Sequence, residues 1–109
     1  MPLRIDPEPP LYMADWQGQP AMNFRAHVVP ADPRDLVSCR VLHGALDWLV
    51  TDATGGGLAT SEDEMAAAAE RFRTTIGEVA SAKFDRGEWA RDGTRRIVVL
   101  GLDDVMGAP

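Results

Sequence analysis

Few side chains of this sequence are of types that could carry nucleophilic chemistry. Cys39 is the only cysteine, and His43 follows it by four residues. A catalytic thiol needs an electropositive and partly exposed setting, whereas Cys39 alternates with Val37 and Val41 in an apolar pattern. We therefore interpret Cys39 as a small buried hydrophobic residue. An enzyme or small-ligand binder with a pocket near Cys39, His43 and Trp48 is the alternative.

No pattern in the sequence predicts a metal or a cofactor. The chain contains neither the paired CxxC spacing nor the HxxxH spacing that zinc sites use. Acidic pairs occur at Asp63–Glu64 and Asp103–Asp104, but neither has a visible acid or base partner for hydrolysis. We therefore predict no catalytic, metal-binding or cofactor-binding residue, and we favour a non-enzymatic protein-interaction or regulatory module over an enzyme.

Two cations of the predicted long helix, Arg73 and Lys83, are candidate contacts for a ligand or partner. Ten residues of helix separate them by about 15 Å along the axis and about 80° around it, so they cannot grip one small anion. The structural alternative is a surface ion pair of Arg73 with Glu70 or Glu78, and a Lys83 stem that lies on the core with its amine in water. The candidate contacts also include three aromatic residues, namely His43, Trp48 and Trp16.

Composition and charge narrow the class of protein. The 109 residues fit one domain, and a net charge of −6 argues against nucleic acid as a partner. Residues 71–96 hold seven basic and four acidic side chains, so weak nucleic-acid binding through that segment is a second alternative. The single cysteine and the absence of a signal-peptide pattern or a long apolar run predict a cytoplasmic protein without membrane contact.

Hydrophobic periodicity predicts the elements of a single α+β domain. Alternation over residues 22–29 and 36–42 predicts two strands, which we expect to pair as an antiparallel hairpin around a proline-rich turn at 30–35. Apolar spacing predicts a short helix near 45–50 and one long helix over 61–83, with Ser61 as its N-cap. The apolar run in 95–102 predicts a final strand buried on both faces.

The expected fold is a small antiparallel or mixed sheet in the order strand, strand, helix, helix, strand, with a short and a long helix packed on one face. Residues 21–105 form the domain, a proline-rich and loosely ordered arm precedes it at 1–20, and a disordered tail follows at 106–109. The predicted buried residues are Phe24, Val37, Cys39, Val41, Leu46, Phe72, Ile76, Val79, Val99 and at least one of Val98 and Leu100.

Self-association is predicted from the faces of this sheet. Two helices cover one face only, so the apolar terminal strand needs a second cover. The apolar part of the arm, 11–16, is the segment expected to supply it, either within the chain or by exchange in a homodimer with twofold symmetry.

The run from Met22 to Asp104 resembles a bacterial family, domain-of-unknown-function family 1488. The resemblance rests on Phe24, Val37-x-Cys39-x-Val41, Ala45-Leu46 and Phe72-Arg73-x-x-Ile76-x-x-x-Ala80-x-x-Lys83-Phe84. The resemblance implies a small cytoplasmic bacterial protein with an α+β fold and no assigned activity. It therefore adds a fold to the expectations and leaves the mechanism open.

Overall fold

A computed structural model describes residues 3–28, 37–93 and 95–106. Within these residues the chain forms six strands and four helices, an α+β fold with a mixed sheet, as predicted. The elements, in chain order, are β1 (Leu3–Ile5), β2 (Leu11–Trp16), β3 (Gln19–Val28), β4 (Val37–Leu42), α1 (His43–Thr54), α2 (Glu62–Arg71), α3 (Arg73–Asp85), β5 (Ala90–Asp92), β6 (Arg95–Leu100) and α4 (Leu102–Met106).

The sheet has the strand order β1-β3-β4-β6-β5, and β2 also pairs with β3. The predicted hairpin of β3 and β4 is antiparallel, with Phe24 opposite Cys39. β4 and β6 run parallel, with Cys39 opposite Val98, and three helices lie between these two strands in the chain. The parallel pair makes the sheet mixed, because a parallel neighbour requires a long crossover connection. The predicted turn at 30–35 lies outside the described residues.

The proline-rich arm is part of the sheet rather than a loosely ordered segment. β1 pairs with the second half of β3 and β2 with its first half, so both strands occupy the same edge. Pro7, Pro9 and Pro10 lie in the interruption between β1 and β2, and Pro20 lies in β3 beside the irregular stretch of β2. Proline is tolerated there because these positions do not need a ladder N–H. The prediction of a loose arm was therefore wrong for the described residues.

A tight turn returns the chain from β2 to β3. Gln17 and Gly18 both have positive φ angles, 53° and 83°. Positive φ at both central residues is typical of the two-residue turn whose twist suits a hairpin. Glycine adopts this backbone freely, whereas glutamine does so at some cost.

The predicted long helix is two helices. It is interrupted at Phe72, whose φ of −103° and ψ of 19° end α2 before α3 begins. Neither glycine nor proline lies at the break, so local propensity did not reveal it. The predicted N-cap is confirmed, since the Ser61 hydroxyl accepts a hydrogen bond from the Glu64 N–H at 3.4 Å.

The other helices also differ from the sequence-based expectations. α1 is twelve residues long and is capped by Gly55, whose φ of 78° lies in the left-handed region. α4 follows β6, and Val105 within the predicted domain is 2% exposed. Met106, the one described residue of the predicted disordered tail, is the last residue of α4. Residues 107–109 lie outside the described part of the chain.

The main core lies between the helices and one face of the sheet. The prediction is confirmed for Phe24, Val37, Cys39, Val41, Leu46, Ile76 and both Val98 and Leu100, all of which are buried. Phe72, Val79 and Val99 are only half-buried. Phe72 is less buried than predicted because the helix is interrupted at that residue, so the regular spacing of the apolar stripe does not continue through it.

Candidate interaction surface

Arg73 has a structural role in holding the N-terminal edge of the sheet. Its guanidinium donates hydrogen bonds to the main-chain carbonyl oxygens of Asp6 and Glu8, both at 2.6 Å. It also pairs with Glu70 at 2.5 Å, as one of the sequence alternatives predicted, and this hydrogen bond lowers the pKa of the Glu70 carboxyl. Because the donors of Arg73 are engaged within the chain, we do not place Arg73 at a ligand site.

Lys83 is held in a part-buried ion pair rather than reaching into water. Its ammonium group donates to the carbonyl oxygen of Val99 at 2.6 Å and to the carboxylate of Asp104 at 2.9 Å. Asp104 also accepts a hydrogen bond from the Gly101 N–H at 2.8 Å. Lys83 therefore ties α3 to the end of β6 and the start of α4.

His43 anchors the glycine-containing connection that follows α1. Its Nε2–H donates to the carbonyl oxygen of Leu58 at 2.8 Å, and Asp47 Oδ1 accepts the N–H of the same residue at 2.8 Å. His43 and Asp47 are four residues apart, so both project from one side of the helix. His43 therefore holds the connection between α1 and α2 in place. Its Nε2 atom is engaged with the Leu58 carbonyl oxygen, so that atom is not available as a catalytic base.

The pocket predicted near Cys39, His43 and Trp48 does not form as one site. Trp48 lines a cleft of about 400 Å³ between α1, the break at Phe72 and α4, and neither Cys39 nor His43 lines it among the described residues. Cys39 is fully buried, as predicted, and burial raises the pKa of its thiol to about 12, against a smaller lowering by the charge of Lys83. A neutral and inaccessible thiol is not a nucleophile.

The described residues also contain no group of three His, Cys, Asp or Glu side chains arranged to hold a metal ion.

The sheet has a second face, opposite the helices. The strand residues of the main core, such as Phe24, Cys39 and Val98, all project towards the helices. Their neighbours along each strand project the other way. We call this second side the open face. The described positions that the register places on it include Arg4, Leu11, Ala21, Asn23, Arg25, His27, Ser38, Arg40, Leu42, Ala90, Asp92, Arg95, Ile97 and Val99.

The open face collects positive charge in a protein whose net charge is −6. The four helices contain ten acidic and three basic residues, whereas the six strands contain six arginines and two acidic residues. Four of these arginines lie on the open face, namely Arg4, Arg25, Arg40 and Arg95. Charge is therefore separated between the helical side of the molecule and the open face.

Three of the four arginines are exposed, and the fourth stacks on a tryptophan. The Arg25 side chain is 66% exposed and lies 3.5 Å from the carboxylate of Glu8. Arg4 and Arg95 are also exposed. The Arg40 guanidinium lies 4.5 Å from the centre of the Trp16 ring, a cation–π arrangement. Trp16 was a candidate contact, and its partner Arg40 places it beside the open face.

A polar hollow of about 350 Å³ lies on this face. Arg25 and Arg95 line it from two sides, and Ser38 and Asn23 contribute polar groups between them. Ser38 lies directly opposite Arg25 in the register and is 3% exposed. Asn23 Oδ1 is buried without a hydrogen-bond partner in the described part of the chain. The remaining described lining residues are Asp6, Leu11, Ala26 and Val37.

Sequence reasoning missed this surface although one signal was available. The alternation of β3 puts Arg25 and His27 on its polar side, and that of β4 does the same for Ser38 and Arg40. The antiparallel register brings these positions close together. The contribution of Arg95 was missed because the basic residues of 71–96 were treated as one segment. In the structure that segment spans α3, β5 and β6, and neighbouring positions of β6 project to opposite faces.

No family model, curated protein or solved structure matches this chain. The resemblance to domain-of-unknown-function family 1488 therefore stays a prediction. None of the helices in the described ranges combines the length and the apolar character that crossing a membrane requires.

Proposed function

We propose that this protein is a non-enzymatic interaction module whose open face binds an acidic segment of a partner protein. The observation that carries the proposal is the concentration of Arg4, Arg25, Arg40 and Arg95 on the sheet face opposite the helices, in a chain of net charge −6. Complementary charge steers association and selects among partners. The engaged donors of Arg73 and Lys83 and the burial of Cys39 support a binding role over a catalytic one.

The dimensions of the open face suit an extended polypeptide. Neighbouring strands of a sheet are about 4.8 Å apart, and Arg25 on β3 and Arg95 on β6 flank β4. Ser38 lies opposite Arg25 and Ile97, so Arg95 is offset from Arg25 by two residues along the strands, and their backbones are about 12 Å apart. An extended segment advances by about 3.3 Å per residue, and alternate side chains of such a segment are therefore about 6.6 Å apart. A short acidic segment lying across the strands can meet both guanidiniums with carboxylates.

A protein partner fits the charge distribution better than nucleic acid. Nucleic acid carries a dense and regular charge, so it would experience strong repulsion from the ten acidic residues of the helices. It also gains much of its single-strand affinity from bases stacked on exposed aromatic rings. Trp16 is half-buried and already stacked on Arg40, so the open face offers little aromatic surface for bases among its described residues.

The test uses a defined acidic probe. A fluorescein-labelled ten-residue peptide of alternating glutamate and threonine is titrated with the full chain at 50 mM salt, and binding is followed by fluorescence anisotropy. We expect saturable binding that weakens with added salt, since the contacts are between exposed charges. Amide chemical-shift changes should fall on β3, β4 and β6 rather than on α2 and α3.

Charge-reversal variants give the matched comparison. Arg25→Glu together with Arg95→Glu should weaken peptide binding at least tenfold. The control is Arg86→Glu, which changes an exposed arginine that lies at the end of α3, away from the open face, and pairs with Glu88. We expect this variant to bind the peptide within twofold of the parent. Equal losses in both variants, or tighter binding of a twenty-nucleotide single-stranded DNA than of the peptide, would contradict the proposal.

Self-association as a homodimer is a second proposal, and the structure changes the argument for it. It rested on an uncovered terminal strand, but β6 lies between β4 and β5, and Ile97, Val98 and Leu100 are buried within one chain. The arm was expected to cover that strand, whereas β1 and β2 pair with β3 instead. Sedimentation velocity over a hundredfold concentration range tests the homodimer directly, and a constant monomer mass would exclude it.

A further inference from the structure

We propose that the polar hollow of the open face, between Arg25 and Arg95, accepts the phosphate of a phosphorylated serine or threonine in the partner's acidic segment. This inference rests on the proposed function, because the hollow lies within the same surface. It adds a chemical class of ligand and a means of regulation, since a kinase acting on the partner would control the affinity.

The arrangement of two guanidiniums favours phosphate over carboxylate. A single arginine satisfies a carboxylate with one bidentate pair of hydrogen bonds. A phosphate monoester has three terminal oxygens and a charge of about −1.5 to −2 at neutral pH, so it can accept donors from two arginines. Arg25 and Arg95 line the hollow from strands on either side of β4, which places an anion between them.

The floor of the hollow is polar as well. Ser38 on β4 lies between the two arginines. It is opposite Arg25 on β3 and opposite Ile97 on β6, and Arg95 is two residues before Ile97 on the same strand. Its hydroxyl can donate a hydrogen bond to an oxygen held above it. The volume of about 350 Å³ lies at the lower end of the range for small-ligand sites.

Two acidic residues near the hollow are already engaged. Asp6 lines the hollow, but its Oδ1 atom is engaged with His27 Nδ1 at 2.5 Å. Glu8 lies 3.5 Å from Arg25, and both side chains are well over half exposed. An exposed pair of this kind contributes little free energy, so a phosphate can displace Glu8 from Arg25.

The experiment compares three ten-residue peptides that share one acidic background. They are a glutamate–threonine peptide with a central serine, the same peptide with phosphoserine, and a peptide with two additional glutamates that matches the added charge. Isothermal titration of the full chain should show the phosphoserine peptide binding at least tenfold more tightly than the serine peptide. The charge-matched peptide should improve on serine by threefold or less.

A conservative variant separates the hollow from general attraction. Arg95→Lys keeps the charge and removes the planar fork of donors. We expect it to reduce the preference for the phosphoserine peptide over the serine peptide below threefold, whatever its effect on the affinity for the serine peptide. An amide spectrum of the variant checks that it is folded.

The outcomes distinguish the two proposals. If no peptide binds, the proposed function and the phosphate site both fail. If all three peptides bind equally, the acidic-segment function stands and the phosphate site is wrong. If the phosphoserine preference survives Arg95→Lys, the preference does not come from the fork of Arg95 in this hollow, and the inference is overturned.

Discussion

Removal of the Lys83 ammonium group should destabilise the protein although no large apolar side chain is lost. In Lys83→Met the aliphatic stem is largely retained, while the Val99 carbonyl oxygen and one carboxylate oxygen of Asp104 lose their charged donor. The side chains of Lys83 and Asp104 are 19% and 20% exposed. The ion pair is therefore mostly shielded from water and weakly screened by salt.

The magnitude follows from this exposure. Breaking a fully buried ion pair by removing one partner costs about 3–5 kcal/mol, and an exposed pair contributes about 0–1 kcal/mol. At one-fifth exposure we expect the free energy of unfolding to fall by about 2–3 kcal/mol. For a domain of this length that corresponds to a decrease in Tm of about 8–12 °C.

Urea and thermal unfolding followed by circular dichroism measure the effect. Arg86→Met is the matched control, since it removes an exposed cation whose side chain and that of Glu88 are 56% and 53% exposed, and it should cost at most about 0.5 kcal/mol. The double variant Lys83→Met/Asp104→Asn should be less destabilised than the sum of the single variants, because each removes the same interaction. A loss in Lys83→Met no greater than in Arg86→Met would refute the assignment of this pair as the tie between α3 and α4.

Two further predictions concern the core. Burial raises the pKa of the Cys39 thiol from 9.0 to about 12. The unfolded chain therefore loses this proton at a lower pH than the folded chain, and the free energy of unfolding falls as the pH rises from about 9 towards 12. The free energy of unfolding should therefore drop by about 2 kcal/mol more from pH 8.5 to 10.5 in the parent than in Cys39→Ala; equal slopes would contradict the burial. Phe24→Ala should cost about 3–5 kcal/mol by urea unfolding, since Phe24 is 1% exposed. Phe72→Ala should cost about 1–2 kcal/mol, since Phe72 is half-buried at a helix break, and equal costs would show that the helix stripe continues through Phe72.

Several features of this protein follow from local sequence alone. Strands β3 and β4 follow from the alternation of apolar and polar residues, which matches the two-residue period of a strand. The start of α2 follows from Ser61 and the carboxylates after it, because capping uses side chains within three residues of the helix end. The burial of Cys39 follows from its place between two valines of β4.

Other features depend on residues that are distant in the chain. The N-terminal arm forms edge strands because the long β3 offers an unpaired side. Between these strands, where the prolines interrupt pairing, Arg73 donates hydrogen bonds to the carbonyl oxygens of Asp6 and Glu8 from more than sixty residues away. Such contacts leave no periodic pattern in either segment. The break at Phe72 belongs to the same class, since the residues around it include no helix-breaking type.

The candidate surface was only partly predictable for the same reason. Arg25 and Ser38 meet because a hairpin pairs them, and the alternation within each strand indicates which side they take. Arg95 joins them only through the parallel pairing of β4 with β6, which is separated from β4 by three helices and β5. A parallel register is determined by how the crossover helices pack on the sheet rather than by a short turn, so the sequence alone does not specify which arginines share the open face.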